Sequence, residues 1–228
     1  MLKNPFRSLT RREWILWGIS LVAVLVSNFT AGTVDPVTIA ATLIGVTALI
    51  FVARGDVWGQ ILTVVFSILY SITSWHFAYY GEIITYLCMS APIAAASVVT
   101  WLKHPYKKDR NEVKIHHLSP RGFILLFIAT VIVTVAFYCI LCALGTTNLI
   151  VSTFSVSTSF LAASLLMFRS SYYAVAYAAN DVVLIILWVL ASFDDPSYIP
   201  MVVNFAAFLA NDLYGFLSWK AREKKQAE

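Results

Sequence analysis

Eight apolar runs dominate the chain, and their length decides what it can fold into. They cover approximately residues 14–30, 36–53, 57–77, 82–102, 122–145, 148–168, 172–193 and 198–219. About 20 apolar residues in a helix cross a hydrocarbon core about 30 Å thick. Residues are 60% hydrophobic and 12% charged, against about 45–50% and about 25% in soluble domains. Too few polar residues remain to give eight such helices a wet face. A membrane barrel would show segments of about 10 alternating residues, and none occur. The expected fold is therefore an all-α polytopic membrane protein with eight transmembrane helices. The basic stretch "KNPFRSLTRRE" precedes the first run, but no small-x-small cleavage pattern follows, so that run reads as a retained helix.

Charge sets the expected topology. Of the 16 Lys and Arg residues, Lys3, Arg7, Arg11 and Arg12 precede the first run, and Arg54 lies between the second and third. Lys103, Lys107, Lys108, Arg110, Lys114 and Arg121 lie between the fourth and fifth, Arg169 between the sixth and seventh, and Lys220, Arg222, Lys224 and Lys225 after the eighth. All fall on one side of an eight-span path. The turns "GTVD", "AYYG", "GTTN" and "FDDPSY" on the other side carry none. By the positive-inside rule both termini are expected in the cytoplasm, N-in and C-in, of a cell membrane protein. The net charge of +4 then belongs to a collar beside anionic headgroups and does not point to nucleic acid.

An internal repeat is also legible. "FVARGDVW" parallels "LMFRSSYY", matching Arg54 with Arg169. Trp101 follows Arg54 by 47 residues, and Trp219 follows Arg169 by 50. The resulting division is an N-terminal segment and additional helix (1–31), a three-helix bundle (36–102), a loop and linker helix (103–146), a second three-helix bundle (148–219) and a tail (220–228). This 1+3+1+3 order with two parallel three-helix repeats is that of alternating-access carriers with a site between the repeats near the midplane.

Polar residues inside the runs mark the candidate site. Ala-Asn-Asp occurs twice, with Asn180 and Asp181 in the seventh run and Asn211 and Asp212 in the eighth. Each Asn lies about eight residues from the basic side, roughly 12 Å deep at 1.5 Å per residue. Asn204, Trp188 and Tyr86 form a second layer further out, with Glu82 one turn beyond Tyr86. An ionisable group in a span is functional by default, since a central Asp costs about 2.5–3.5 kcal/mol even on insertion scales. Amides and carboxylates suit ribose hydroxyls and a carboxamide, and aromatic faces suit a flat ring. The alternative for the Asn and Asp residues is interhelical bonding with no ligand. For Trp188 it is an aromatic-belt position, the reading also given to Trp14, Trp17, Trp58, Trp101 and Trp219. The sixth run is dense in Ser, Thr and Ala, which suits close packing and can also line a path. Pro92 is expected to kink the fourth run.

Several activities find no support. Cys88, Cys139 and Cys142 lie in apolar runs and read as packing residues. The four histidines show no metal-ligand spacing, so neither a metal nor a cofactor is expected. Neither a nucleophile–base pair nor a phosphate-binding loop is visible, which argues against an enzyme and against ATP-driven transport.

The stretches "WGQILTVVFSILY", "YYGEIITYLCMSAP", "ANDVVLIILWVLAS" and "NFAAFLANDLYGFLSW" resemble the nicotinamide riboside transporters of the Pnu family across nearly the whole chain. That resemblance implies a fold similar to SWEET sugar transporters and vitamin import by facilitated diffusion, with a cytoplasmic kinase trapping the product. It further implies a homotrimer in the lipid bilayer. Many members carry Trp-x-x-Trp-x-x-x-Asn before the substrate-binding Asn; the matching positions here are Tyr173, Ala176 and Asn180. On the chemistry of these side chains, ring stacking is expected of Tyr173, Tyr177 and Trp188. Ribose and carboxamide bonding falls to Asn180, Asn204 and Asn211, with Gln60, Glu82 and Tyr86 from the first bundle. Asp181 and Asp212 complete the expected substrate-binding set. The alternatives are a related carrier for thiamine or another nucleoside, or a carrier coupled to a proton at Asp181, Asp212 or Glu82. A membrane enzyme or sensor is the reading from another class.

Overall fold

The computed structural model describes residues 3–30, 36–76, 80–106, 112–146 and 148–228. Lys107, Lys108, Arg110, the "GTVD" turn and parts of "AYYG" and "GTTN" lie outside the described residues. Nine α-helices occur among the described residues: α1 (Arg11–Thr30), α2 (Pro36–Ala53), α3 (Val57–His76), α4 (Tyr80–Ile84), α5 (Ala91–Lys103), α6 (Pro120–Ala143), α7 (Leu149–Met167), α8 (Tyr173–Asp194) and α9 (Ile199–Ala227). A π-helical turn, Thr85–Ser90, joins α4 to α5, so these make one span and the total is eight. The all-α, eight-span expectation holds. The last helix runs two turns beyond its apolar part because its polar end is held on the basic face. There Arg222 pairs with Glu112 at 3.0 Å, and Gln226 Oε1 accepts from the Ile115 N–H at 2.8 Å.

Local chemistry explains where the helices start and bend. Thr10 and Glu13 form a capping box at α1: Thr10 N donates to Glu13 Oε2 at 2.6 Å, and Glu13 N donates to Thr10 Oγ1 at 3.4 Å. Glu13 also takes Arg54 at 2.8 Å and the Tyr214 hydroxyl at 3.1 Å, so one buried carboxylate ties α1, the α2–α3 turn and α9. In the fourth span, Pro92 has no N–H for the carbonyl four residues back. The structure answers with a widened turn rather than a simple kink: Ala91 N bonds Tyr86 O, five residues back.

Six elements close into a ring, each packing on the next: α2, α3, α5, α7, α8, α9 and back to α2. The first helix lies outside this ring against α2 and α9, and α6 lies outside against α7. The exposed apolar residues of α6, such as Leu125, Phe127 and Ile132, suit a lipid-facing helix. The described basic residues gather at the α1 start, the α2–α3 and α7–α8 turns, the α5 and α9 ends and the α6 start, which is one face of an up-and-down path.

That basic face is closed by a paired device. Both short turns end a helix with a left-handed residue, Gly55 (φ 67°) after α2 and Arg169 (φ 62°) after α7. In each, a 6→1 hydrogen bond follows, from Asp56 N to Phe51 O and from Ser170 N to Leu165 O, both 2.9 Å. Trp219 of α9 donates its indole N–H to Val52 O at 2.9 Å, and Trp101 of α5 donates to Leu166 O at 3.2 Å. The indoles lie 5.7 Å apart and are 0% and 2% exposed respectively. They are core residues, not the belt residues that their place near the ends of two apolar runs suggested. Trp14, 42% exposed, fits the belt reading.

Candidate functional site

Inside the ring lies a cavity of about 90 Å³. Helix α2 lines it with Gly45, Ala48, Leu49 and Val52, and α3 with Thr63, Phe66 and Ser67. The π turn contributes Tyr86 and Ser90 from its two ends, which its wider pitch turns toward the centre. Ser159 and Leu166 come from α7, Tyr177, Asn180, Asp181 and Leu184 from α8, and Phe205, Phe208 and Asp212 from α9. All the amide and carboxyl groups in the wall therefore stand on α8 and α9, and α2 and α3 present apolar groups and hydroxyls. Among the lining residues there is no Lys, Arg or His.

Each polar group has a definite orientation. Asn180 Oδ1 accepts from Thr158 Oγ1 at 2.8 Å and Ser159 Oγ at 3.0 Å, which leaves its NH2 as the group it offers a ligand. The carboxyl groups of Asp181 and Asp212 stand within hydrogen-bonding reach of each other, and both residues are buried. Tyr86 packs on Tyr70 at 4.5 Å and on Phe66 at 5.8 Å between ring centroids, making an aromatic wall opposite the polar one. The end of the cavity toward the basic face is stopped by the cluster of Trp101, Trp219, Tyr173, Val52 and Leu166.

A second cavity of about 460 Å³ opens toward the opposite face. Its wall includes Glu82, Thr85, Asn148, Ser152, Trp188, Asp194, Asp195 and Tyr198, with Trp188 and Tyr198 rings 5.5 Å apart. One helical step separates the two cavities: Thr85 faces this vestibule and Tyr86 the centre, and Trp188 faces the vestibule with Leu184, a turn earlier, at the centre.

The expected site residues thus divide. Tyr86, Tyr177, Asn180, Asp181 and Asp212 meet at the central cavity, and Glu82 and Trp188 line the vestibule. Tyr173 lies in the cluster below the cavity, 4.7 Å from the Trp219 ring. Asn211 is not among the lining residues of the central cavity; its NH2 donates to Ser20 of α1 and to Ala207 O, both at 2.8 Å. Asn204 and Gln60 are buried and line neither cavity. Sequence reasoning did not single out Phe66, Thr63, Ser67, Ser90, Phe205 or Phe208. Only Phe66 had a signal, since the Arg54–Arg169 offset maps it onto Asp181.

A closed ring of membrane-crossing helices, with a polar cavity inside it and a vestibule on one side, is the architecture of a multi-pass membrane transporter. The particular kind follows from comparison with known proteins. Residues 35–221 match the family model described as nicotinamide mononucleotide transporter, and the chain belongs to that family, the PnuC type. It is 23% identical over 218 residues to the nicotinamide riboside transporter PnuC of Neisseria mucosa, covering 94% of this chain and 82% of that protein. Its fold matches the crystal structure of the vitamin B3 transporter PnuC with a TM-score of 0.82 at 22% identity, covering 96% of this chain and 94% of that one.

Proposed function

We propose that the chain imports nicotinamide riboside, the dephosphorylated nucleoside, by facilitated diffusion with alternating access. The observation that carries this reading is the charge of the central cavity: two carboxyl groups and no Lys, Arg or His in its wall. A mononucleotide would bring its phosphate against Asp181 and Asp212 without a cation to receive it, and like charges so buried repel by several kcal/mol at low effective dielectric. The riboside offers hydroxyls and a carboxamide to Asn180, Ser159 and Tyr177, and a flat ring to the Tyr86–Phe66 wall. The same wall would refuse the phosphorylated product, so a cytoplasmic kinase would make uptake one-way. The basic collar supports an orientation with both termini in the cytoplasm and the acidic vestibule outside.

The central cavity, at about 90 Å³, is well below the roughly 300 Å³ at which ligand pockets begin, whereas the vestibule is within that range. This combination supports a contracted state in which the ligand enters by the vestibule and the layer of Tyr86, Leu184 and Trp188 opens to admit it. The Trp101–Trp219 cluster would be the opposing gate. The deciding measurement is a binding titration of the purified protein with nicotinamide riboside, its mononucleotide and thiamine, followed by proteoliposome uptake. The riboside should bind tightest; preference for the mononucleotide would overturn the proposal, and preference for thiamine would reassign the vitamin.

A further inference from the structure

The central cavity holds two carboxyl groups and no cationic side chain among its lining residues. Asp181 and Asp212 are 2% and 4% exposed, come from neighbouring helices, and line one small cavity within hydrogen-bonding reach of one another. Two ionised carboxylates offer only acceptors and repel at that range, so the arrangement favours one proton between them. With one proton shared, the pair holds a single negative charge. No N–H or hydroxyl of the described residues reaches the buried Asp181 Oδ2, which leaves it to the shared proton or to a ligand.

The surroundings offer no counter-ion. The titratable groups facing the pair are phenols, Tyr86 from the π turn and Tyr173 and Tyr177 from α8. The parts of α2, α3 and α7 that line the cavity carry no titratable side chain. The basic residues on the same helix as Asp212, Lys220, Arg222, Lys224 and Lys225, all lie at its end on the basic face, where Arg222 pairs with Glu112 at 3.0 Å and Lys220 with Glu223 at 2.9 Å. What the cavity does hold is aromatic surface, in Tyr86, Tyr177, Phe66 and Phe208.

We infer that the Asp181–Asp212 pair is a one-proton carboxyl dyad that serves as the counter-charge for a ligand with a fixed positive charge in an aromatic ring. Such a ring satisfies both features at once: it places its charge near the dyad and its faces against the aromatic side chains. A pyridinium or thiazolium nitrogen has no proton to lose, so it keeps its charge where an amine would shed it. On this basis the dyad sets the cavity's preference for charge, and the Asn180 amide sets hydrogen-bonding specificity. The inference rests on the nicotinamide riboside reading and deepens it: charge, and not ring shape alone, admits the substrate.

The test uses two probes that share ribose and carboxamide, nicotinamide riboside and its 1,4-dihydro form, which has no charge. They are titrated calorimetrically into purified wild-type protein and into Asp181→Asn, Asp212→Asn and the double variant, with folding checked by thermal melts. Wild type should prefer the cation by about tenfold or more, the scale set by cation–π attraction plus a desolvated charge pair. In each single variant the Asn NH2 replaces the shared proton as donor and the net charge stays the same, so the preference persists. The double variant removes the charge, and its affinity for the cation should fall to that for the dihydro form. Equal binding of both probes by wild type would overturn the dyad while leaving the vitamin assignment standing. A preference that survives in a folded double variant, or disappears in either single one, would overturn it too. If the double variant does not fold, the single variants decide. Binding of neither probe by wild type would remove the nicotinamide riboside reading itself.

Discussion

The closure of the basic face rests on two indole hydrogen bonds, and that makes it measurable. Trp101 and Trp219 each donate to the last-turn carbonyl of the neighbouring helix in the ring, Leu166 O of α7 and Val52 O of α2, at 3.2 and 2.9 Å. Phe at either position keeps most of the ring packing and removes the donor. Each carbonyl retains one backbone partner, Arg169 N or Gly55 N, so no acceptor is orphaned. The loss per bond should then be the net value of a hydrogen bond, about 0.6 kcal/mol by membrane-helix cycles to about 1 kcal/mol in general. In a two-state opening this raises the open fraction about three- to fivefold per substitution, and about ten- to thirtyfold for both. Cys88, Cys139 and Cys142 are free and exposed, so they can be replaced by Ser, and Ala174→Cys, fully buried beside the pair, becomes the reporter. Maleimide labelling of that cysteine should accelerate by those factors in Trp101→Phe, Trp219→Phe and the double variant. It should not respond to Trp14→Phe, which changes an exposed indole. Unchanged labelling in both single variants, or the same rise with Trp14→Phe, would show that the pair does not hold this face shut.

Two further outcomes follow from the packing. A Cβ at Gly215 would lie 2.9 Å from Tyr173 Oη, so Gly215→Ala should not show the gain of about 1 kcal/mol expected for Ala over Gly in a helix; adding Tyr173→Phe should restore it, read as a rise in melting temperature over Tyr173→Phe alone. The two Asn residues should separate cleanly in paired melts and titrations. Asn180→Leu should abolish riboside binding with a modest change in stability, because Thr158 also bonds its own helix at Phe154 O. Asn211→Leu should lower stability by about 1 kcal/mol through the lost Ser20 bond while binding stays within about twofold; loss of binding there would return Asn211 to the site.

The sequence alone determined the membrane class and the number of spans, because these depend on properties of a single helix. Run length against bilayer thickness and the placement of basic residues need no tertiary information. The helix ends fell within a few residues for the same reason, except in α9, whose last two turns are polar and are held by Glu112 and the 113–115 backbone. Depth gave Asn180 and Asn211 the same standing; only the tertiary structure chose between them. Adjacent residues on a helix point about 100° apart, so Asp212 reaches the cavity and Asn211 reaches α1, an added helix whose docking side the sequence does not encode. Trp101 and Trp219 show the same limit. An indole near the end of an apolar run suits an interface belt, and nothing local says that a neighbouring helix end will offer it a carbonyl. The carboxyl pair is the clearest case: two Asp residues 31 positions apart face one cavity only because α8 packs against α9.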